Sequence, residues 1–301
     1  MQWPPLFFPP FIAIPSKICY IKVYGKNTFF EVIMEKLVIL GTGNAQSVYF
    51  YNTCFALRDE ADNTLLVDAG GGNGILRQLQ SANIPLTDIH HVIVTHEHCD
   101  HILGMVWLIR LIATAMKKGQ YEGNFNIYCH EGLVEPIKNM CYYTLQKKFT
   151  NFFDERILFH VVQDGSEMGL AAWPVTFFDI RSTKARQFGF TLKLQSGEKF
   201  TCLGDEPYNP DCAKYVEGSS WLLSEAFCLY GERDIFKPYE KNHSTVREAC
   251  QLATELSVPH LVLYHTEDSH AAERKALYTE EGRAFYEGDL YVPDDLDVIN
   301  L

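Results

Sequence analysis

The chain contains no Cys-x-x-Cys pair, no excess of positive charge, and no uncharged apolar run of the roughly 18 residues that a membrane span needs. Its nine cysteines, an odd number, therefore read as free thiols of a reducing cytoplasm rather than as a disulfide framework or a zinc ribbon. The net charge of -12, from 26 Lys and Arg against 38 Asp and Glu, excludes a general nucleic-acid coating protein. It leaves room for a local basic groove, and a cluster of divalent cations would offset part of it. No Pro/Gly/Ser-rich linker divides the 301 residues, so the two halves are expected to share one interface. The glycine-rich Gly70–Gly74 lacks the Lys-Ser/Thr of a phosphate loop and reads instead as backbone passing close beneath another element. At 47% hydrophobic and 21% charged residues, the composition is that of an ordinary globular protein long enough to bury a large core.

Residues 1–16 carry no charge, and five prolines prevent a continuous helix there. No basic residue precedes the apolar run, as a secretory signal would require. Met34 then precedes Glu-Lys-Leu-Val-Ile-Leu-Gly, which reads as a first strand. The expected division is an extension over 1–33, outside the fold, and a folded domain over 34–301.

From residue 35 onward strands and helices alternate. Strands are expected at 36–40, 53–57, 64–67, 91–94, 126–129, 157–162, 175–180, 190–194, 200–203, 222–225 and 260–264. Helices are expected at 73–79, 102–116, 132–146, 244–256 (with Ser244 or His243 near its N-cap) and 271–286. This pattern predicts a layered α/β fold with helices covering sheets.

The chemistry is concentrated in Thr95-His96-Glu97-His98-Cys99-Asp100-His101. The segment follows a strand and precedes a helix, so it lies on a turn at a strand's C-terminal end, where α/β folds place ligands. On an extended turn His96 and His98 face the same side and can grip one metal. Asp100 and His101, at the mouth of the helix, can grip a second. Imidazole with carboxylate suits Zn2+ and also tolerates manganese or iron. His130, His160 and His270 read as surface or strand histidines.

Here the chain resembles the metallo-β-lactamase superfamily of hydrolases, through His-x-His-x-Asp-His at His96, His98, Asp100 and His101. The segment 65–70, Leu-Leu-Val-Asp-Ala-Gly, is similar to the family motif whose aspartate, here Asp68, braces the metal loop. Cys202-Leu203-Gly204-Asp205 looks like the motif whose aspartate bridges both metals, and Leu261–His265 like the one whose histidine completes the second. The resemblance implies a four-layer αβ/βα sandwich holding two Zn2+ ions between sheet edges. Within the superfamily the chain is most similar to the RNase Z-like branch. Gly41-Thr42-Gly43-Asn44 resembles that branch's opening turn. Ser224-Glu225-Ala226-Phe227 resembles its His-Glu-Ala-Thr segment with serine for histidine, and His243-Ser244-Thr245 matches its His-Ser-Thr motif. The resemblance assigns Glu225 and His243 to moving a proton to the leaving group. Read without it, Glu225 is equally a strand-end carboxylate and His243 a helix cap.

Two departures follow. The family's third histidine for the first metal should precede the Gly189-Phe190 strand, and the segment 179–183 contains none. Arg181 is the best guess for the aligned position, with Ser182 or Thr183 as alternatives. The first metal is then left with His96, His98 and Asp205, while the second keeps Asp100, His101, Asp205 and His265. An inward guanidinium about 4 Å from a dication would be opposed by roughly 8 kcal/mol at an effective dielectric near 20. Arg181 is therefore expected either to turn outward or to weaken the first metal; it could also contact a substrate phosphate or carboxylate. The second departure is that only 182–204 separates the third and fourth motifs, which leaves no room for a long tRNA-gripping arm. With the acidic charge, this makes tRNA 3′ processing doubtful.

The implied activity is hydrolysis of a small phosphodiester or short nucleic acid by a metal-activated hydroxide, with Asp100, Glu225 and His243 as catalytic residues. An ester, lactone or thioester hydrolase is the first alternative, and a degenerate, non-catalytic metal-binding protein the second. Relatives of this kind often form homodimers, and no membrane partner is expected.

Overall fold

Alternation along the strands explains the layers. In β1 (Lys36–Gly41), Leu37 and Ile39 point into one core while Val38 and Leu40 point into another. In β2 (Cys54–Arg58), Phe55 and Leu57 join the first of these cores and Cys54 and Ala56 the second. A strand with both faces apolar must be covered on both sides. That requirement produces a stack of helices, sheet, sheet and helices.

The structure, a computed structural model, describes residues 35–301. The extension expected over 1–33 lies outside the described residues. The first sheet contains β1, β2, β3 (Thr64–Val67), β4 (Ile89–Ile93), β5 (Phe125–His130), β6 (Ile157–Val162) and β14 (Val298–Asn300), in the order β14-β1-β2-β3-β4-β5-β6. Its outer face carries α1 (Gly74–Ser81), α3 (Gly104–Lys117) and α4 (Glu131–Thr144), and α5 (Lys147–Thr150) follows as a single turn. The second sheet contains β7 (Glu167–Leu170), β8 (Trp173–Asp179), β9 (Phe188–Lys193), β10 (Lys199–Cys202), β11 (Trp221–Glu225), β12 (His260–Tyr264) and β13 (Asp289–Tyr291), in the order β13-β12-β11-β10-β9-β8-β7. Val246, Ala249, Cys250 and Ala253 of α6 (Val246–Glu255) and Tyr278 of α7 (Arg274–Arg283) cover its outer face. Between the sheets lies an aromatic core that includes Trp173, Phe177, Phe188, Phe190, Phe200 and Trp221. This is the αβ/βα arrangement that the resemblance implies.

The helix expected over 102–116 is α3, which starts two residues later than expected. A short helix α2 (Cys99–Ile102) ends at Leu103, and α3 begins at Gly104. By length and composition alone the stretch Cys99–Lys117 is long and apolar enough to cross a bilayer. Here Met105, Leu108, Ile109 and Ile112 are buried against the first sheet. The helix expected over 244–256 runs over Val246–Glu255, with Thr245 as its N-cap, Glu248 closing a capping box, and Ser244 directly before the cap.

Candidate metal centre and active site

Five loops at the same end of the two sheets supply the site. After β4 the chain runs extended through His96 and enters α2 with His98 as its N-cap, φ -62 and ψ 146. His96 and His98 consequently face each other, with His96 Nε2 2.9 Å from His98 Nδ1. Asp100 and His101 occupy the first turn of α2 and are buried. Asp205 follows β10 in the second sheet, and its Oδ2 lies 3.3 Å from His96 Nε2, 3.4 Å from His101 Nε2 and 3.6 Å from His265 Nε2. One carboxylate oxygen from one sheet thus faces imidazoles from both. Among the described residues, two buried groups have ligand atoms close enough to share a cation: His96, His101 and Asp205, and Asp100, His101 and His265.

The residues present fit a dication. His101 Nε2 is buried without a hydrogen-bond partner, although Asp100 Oδ2 and Asp205 Oδ2 each lie 3.4 Å away. Burial opposes charge on His101, yet Asp68, Asp100 and Asp205 together raise its pKa well above the usual value. Burial likewise opposes charge on Asp205, but His96 and His101 hold its pKa well below the carboxylate range. Burial opposes charge on Asp100 too, but the neighbouring His101 and His265 hold its pKa below the carboxylate range. The pocket therefore favours positive charge at its centre, where the unpartnered His101 Nε2 faces two carboxylates.

Asp68 holds the loop. At φ 56 it leaves β3 in the left-handed region and turns its carboxylate under the loop. The carboxylate accepts from the Thr95 backbone N–H (2.8 Å), Thr95 Oγ1 (2.7 Å) and His101 Nδ1 (2.7 Å). The last bond leaves Nε2 of His101 facing the site, the usual purpose of a carboxylate behind a ligating histidine. Thr53 does the same for His265, its Oγ1 lying 3.0 Å from Nδ1.

Glu225 ends β11 fully buried, its Oε1 taking the backbone N–H of Ser244. Its Oε2 lies 3.7 Å from His243 Nδ1, and neither atom has a hydrogen-bond partner. Burial pushes the Glu225 carboxyl well up and pushes His243 down to about 3, helped by the neighbouring His265. The His243 ring stacks on Phe227 at 4.8 Å and 4°. The mouth is a cavity of about 340 Å³ lined by residues that include His98, Asp100, Asp205, Phe227, Lys241 and His243.

Two placements differ from the sequence reading. Arg181 does not stand in for the missing histidine. It is itself at φ 62, its guanidinium pairs with Asp164 at 3.1 Å, and its side chain is half exposed. Its charge is thus turned outward, which removes the repulsion considered above. The residue brought to the first metal group is Gln187, 1% exposed, whose Nε2 donates to Asp205 Oδ1 and lies 3.0 Å from His96 Nδ1. Nothing in its sequence neighbourhood marks it except that it lies two residues before Gly189. The other omission is Lys241, whose ammonium sits 4.7 Å above the Phe227 ring at the cavity mouth. His160 bonds Asn126, His270 bonds Glu232, and His130 lies 3.8 Å from Glu97; none belongs to either metal group.

Fold and site together define a hydrolase of the metallo-β-lactamase class, close to RNase Z. Residues 35–285 match the family described as Anti-Pycsar protein Apyc1, and the chain belongs to that family. It is 25% identical to a ribonuclease Z of Thermococcus sibiricus, over 89% of this chain and 97% of that one. It is 27% identical to a ribonuclease Z of Methanothermobacter thermautotrophicus, over 77% and 86%. Among solved structures, the metallo-β-lactamase fold protein YhfI from Bacillus subtilis superposes with a TM-score of 0.73 at 18% identity, covering 89% of this chain and 99% of that one. The short form of human tRNase Z gives 0.66 at 21% identity, covering 88% and 98%.

Proposed function

We propose that the protein is a metal-dependent phosphodiesterase acting on a small phosphodiester or a short nucleic acid. The observation that carries this reading is the pairing of two features in one cavity. A bridging carboxylate oxygen faces three imidazoles, and a buried Glu225–His243 pair stands beside it. A bound dication, for which Zn2+ is the first choice and Mn2+ or iron the alternatives, polarises a phosphoryl oxygen and eases deprotonation of water. His96, His98, Asp100, His101, Asp205 and His265 would hold the cations, and Asp68 would keep the loop in register. Glu225, kept protonated by burial, carries the proton that a leaving oxygen needs, with His243 between it and the cavity. Lys241 supplies positive charge at the mouth, where a phosphate would enter.

The ribonuclease Z names of the curated relatives support a nucleic-acid phosphodiester. The small cavity and acidic balance favour a small one over tRNA. All eight described cysteines are free, which supports a cytoplasmic setting. The deciding experiment compares turnover of bis-p-nitrophenyl phosphate with a panel of p-nitrophenyl ester, lactone and thioester substrates, with Zn2+ or Mn2+ added. Phosphodiester turnover at least tenfold above the panel is expected. Ester turnover without phosphodiester turnover would transfer the site to acyl chemistry, and failure on both with metal bound would mark a degenerate site.

A further inference from the structure

Two buried carboxylates of the second sheet bracket His243. They come from β10 and β11, which run side by side and parallel. Glu225 ends β11 and takes the backbone N–H of Ser244, directly after His243. Glu206 lies in the loop after β10 and is 6% exposed. It follows Asp205 in the sequence, yet among the described residues it belongs to neither metal group. Its Oε2 accepts from Asn242 Nδ2 at 2.6 Å, directly before His243, and its Oε1 accepts from Ser182 Oγ at 2.6 Å. A buried carboxylate is costly unless its oxygens are bonded, and both oxygens of Glu206 are bonded to side chains of other loops. We infer that Glu206 is a positioning residue for the proton transfer: through Asn242 it holds His243 beside Glu225 and Lys241 at the cavity mouth. This inference rests on the proton transfer proposed above.

The local chain needs such a hold. Tyr239–Lys241 is a single 3-10 turn, and Asn242 leaves it at φ 53 and ψ 48. His243 N then returns to Pro238 O at 2.9 Å, so Lys241, Asn242 and His243 share one tight loop. A turn this short has little stability of its own. Lys241 and His243, on either side of Asn242, both line the cavity. The His243 ring lies flat on Phe227, with Nδ1 3.7 Å from Glu225 Oε2. A shift of about 0.5 Å toward Glu225 would bring the pair within hydrogen-bond reach, and an equal shift away would part it. Small displacements of the loop therefore decide whether the proton can pass. The other end of the clamp is closed as well. Ser182 Oγ accepts from the backbone N–H groups of Lys184 (3.1 Å) and Ala185 (3.3 Å), so Glu206 is anchored on a formed turn.

The test uses Asn242→Gly, which keeps the left-handed backbone and removes the amide that Glu206 holds. Two diesters of similar shape separate the chemistry. Diphenyl phosphate releases a basic phenolate that needs a proton, whereas the p-nitrophenolate of bis-p-nitrophenyl phosphate leaves with little help. In the metal-loaded full chain, kcat for diphenyl phosphate should fall at least about tenfold and that for bis-p-nitrophenyl phosphate less than about twofold. Metal content should stay that of the unaltered chain. A second readout needs no turnover. In the metal-free chain, isotope-labelled at histidine, the His243 ring resonances, assigned with His243→Asn, should move in Asn242→Gly. They should move also in Glu206→Gln, where one of the two donors loses its acceptor. Equal losses on the two diesters, or unmoved His243 resonances in a folded Asn242→Gly, would overturn the inference. No turnover of either diester by the unaltered, metal-loaded chain would instead overturn the phosphodiesterase reading, and the ring resonances would still decide whether Glu206 places His243.

Discussion

At the scale of single residues, Asp68 and Glu225 make opposite predictions. Asp68 braces the loop through the three hydrogen bonds that its carboxylate accepts. Asp68→Ala would orphan three donors on Thr95 and His101 and leave alanine at φ 56. Metal affinity should fall on the order of 10–100-fold, read as cation per chain after dialysis. Asp68→Asn tolerates the left-handed backbone and should recover part of the loss. Glu225 is neutral and costly. Its carboxyl pKa is raised by burial, so folding is opposed above the unfolded carboxyl pKa, where only the unfolded chain releases the proton freely. Glu225→Gln should therefore unfold at a higher temperature than the unaltered chain at pH 7 and at a similar one near pH 4, while turnover drops by about 10²–10⁴-fold. Equal turnover would remove Glu225 from proton transfer. These residues were legible because each lies in a short local signature. Gln187 was not, because its role depends on a contact across 91 positions with His96, and a lone glutamine carries no chemical mark.

At the scale of elements, the junction between α2 and α3 decides whether the metal loop can close. Gly104 begins α3, and a Cβ there would lie 1.9 Å from the carbonyl oxygen of Ala69. The close approach lets Gly104 N bond Gly70 O and Ala69 N bond His101 O, which pins the loop after β3 beneath the metal ligands. Gly104→Ala should cost roughly 3 kcal/mol or more, since backbone and not a flexible side chain must move. Metal content should fall with stability in the same variant, and a normal melting point would show that the two loops are not coupled. The sequence suggested that the glycine-rich 70–74 passes close beneath another element, and in the fold that element is the metal loop. It did not show the break at Leu103, because the apolar pattern runs through it without a proline or a change of period. Edge strands β7, β13 and β14 were also invisible. They are short and partly exposed, with little apolar alternation to read.

At the scale of the whole molecule, the site draws its ligands from both sheets, so its protonation is tied to global stability. His91, His98, His130, His160, His243 and His265 are all held below the usual imidazole pKa, chiefly by burial; His91 falls to about 4, His243 to about 3 and His265 to about 4. In each case the unfolded chain takes up a proton from about pH 6.5 downward while the folded chain refuses it. Stability therefore falls with pH in that window, by at most about 1.4 kcal/mol per pH unit for each histidine, and by less for half-exposed rings that water screens. Glu225, Glu206 and Asp295 oppose the trend, because their raised pKa values make the folded state easier to keep as pH drops. His101, raised instead, is protonated in both states below pH 6.5 and adds no slope there. Six groups against three give a net loss. Denaturant unfolding of the chelator-treated protein should show stability declining from pH 6.5 to 5. His91→Asn, remote from the metal ligands and bonded only to Tyr128 Oη among the described residues, should flatten that decline without changing metal content. A stability profile flat over this range, with His91→Asn leaving it unchanged, would mean that the buried histidines are already charged in the fold. The neutral state of the Glu225–His243 pair would then have to be abandoned with it.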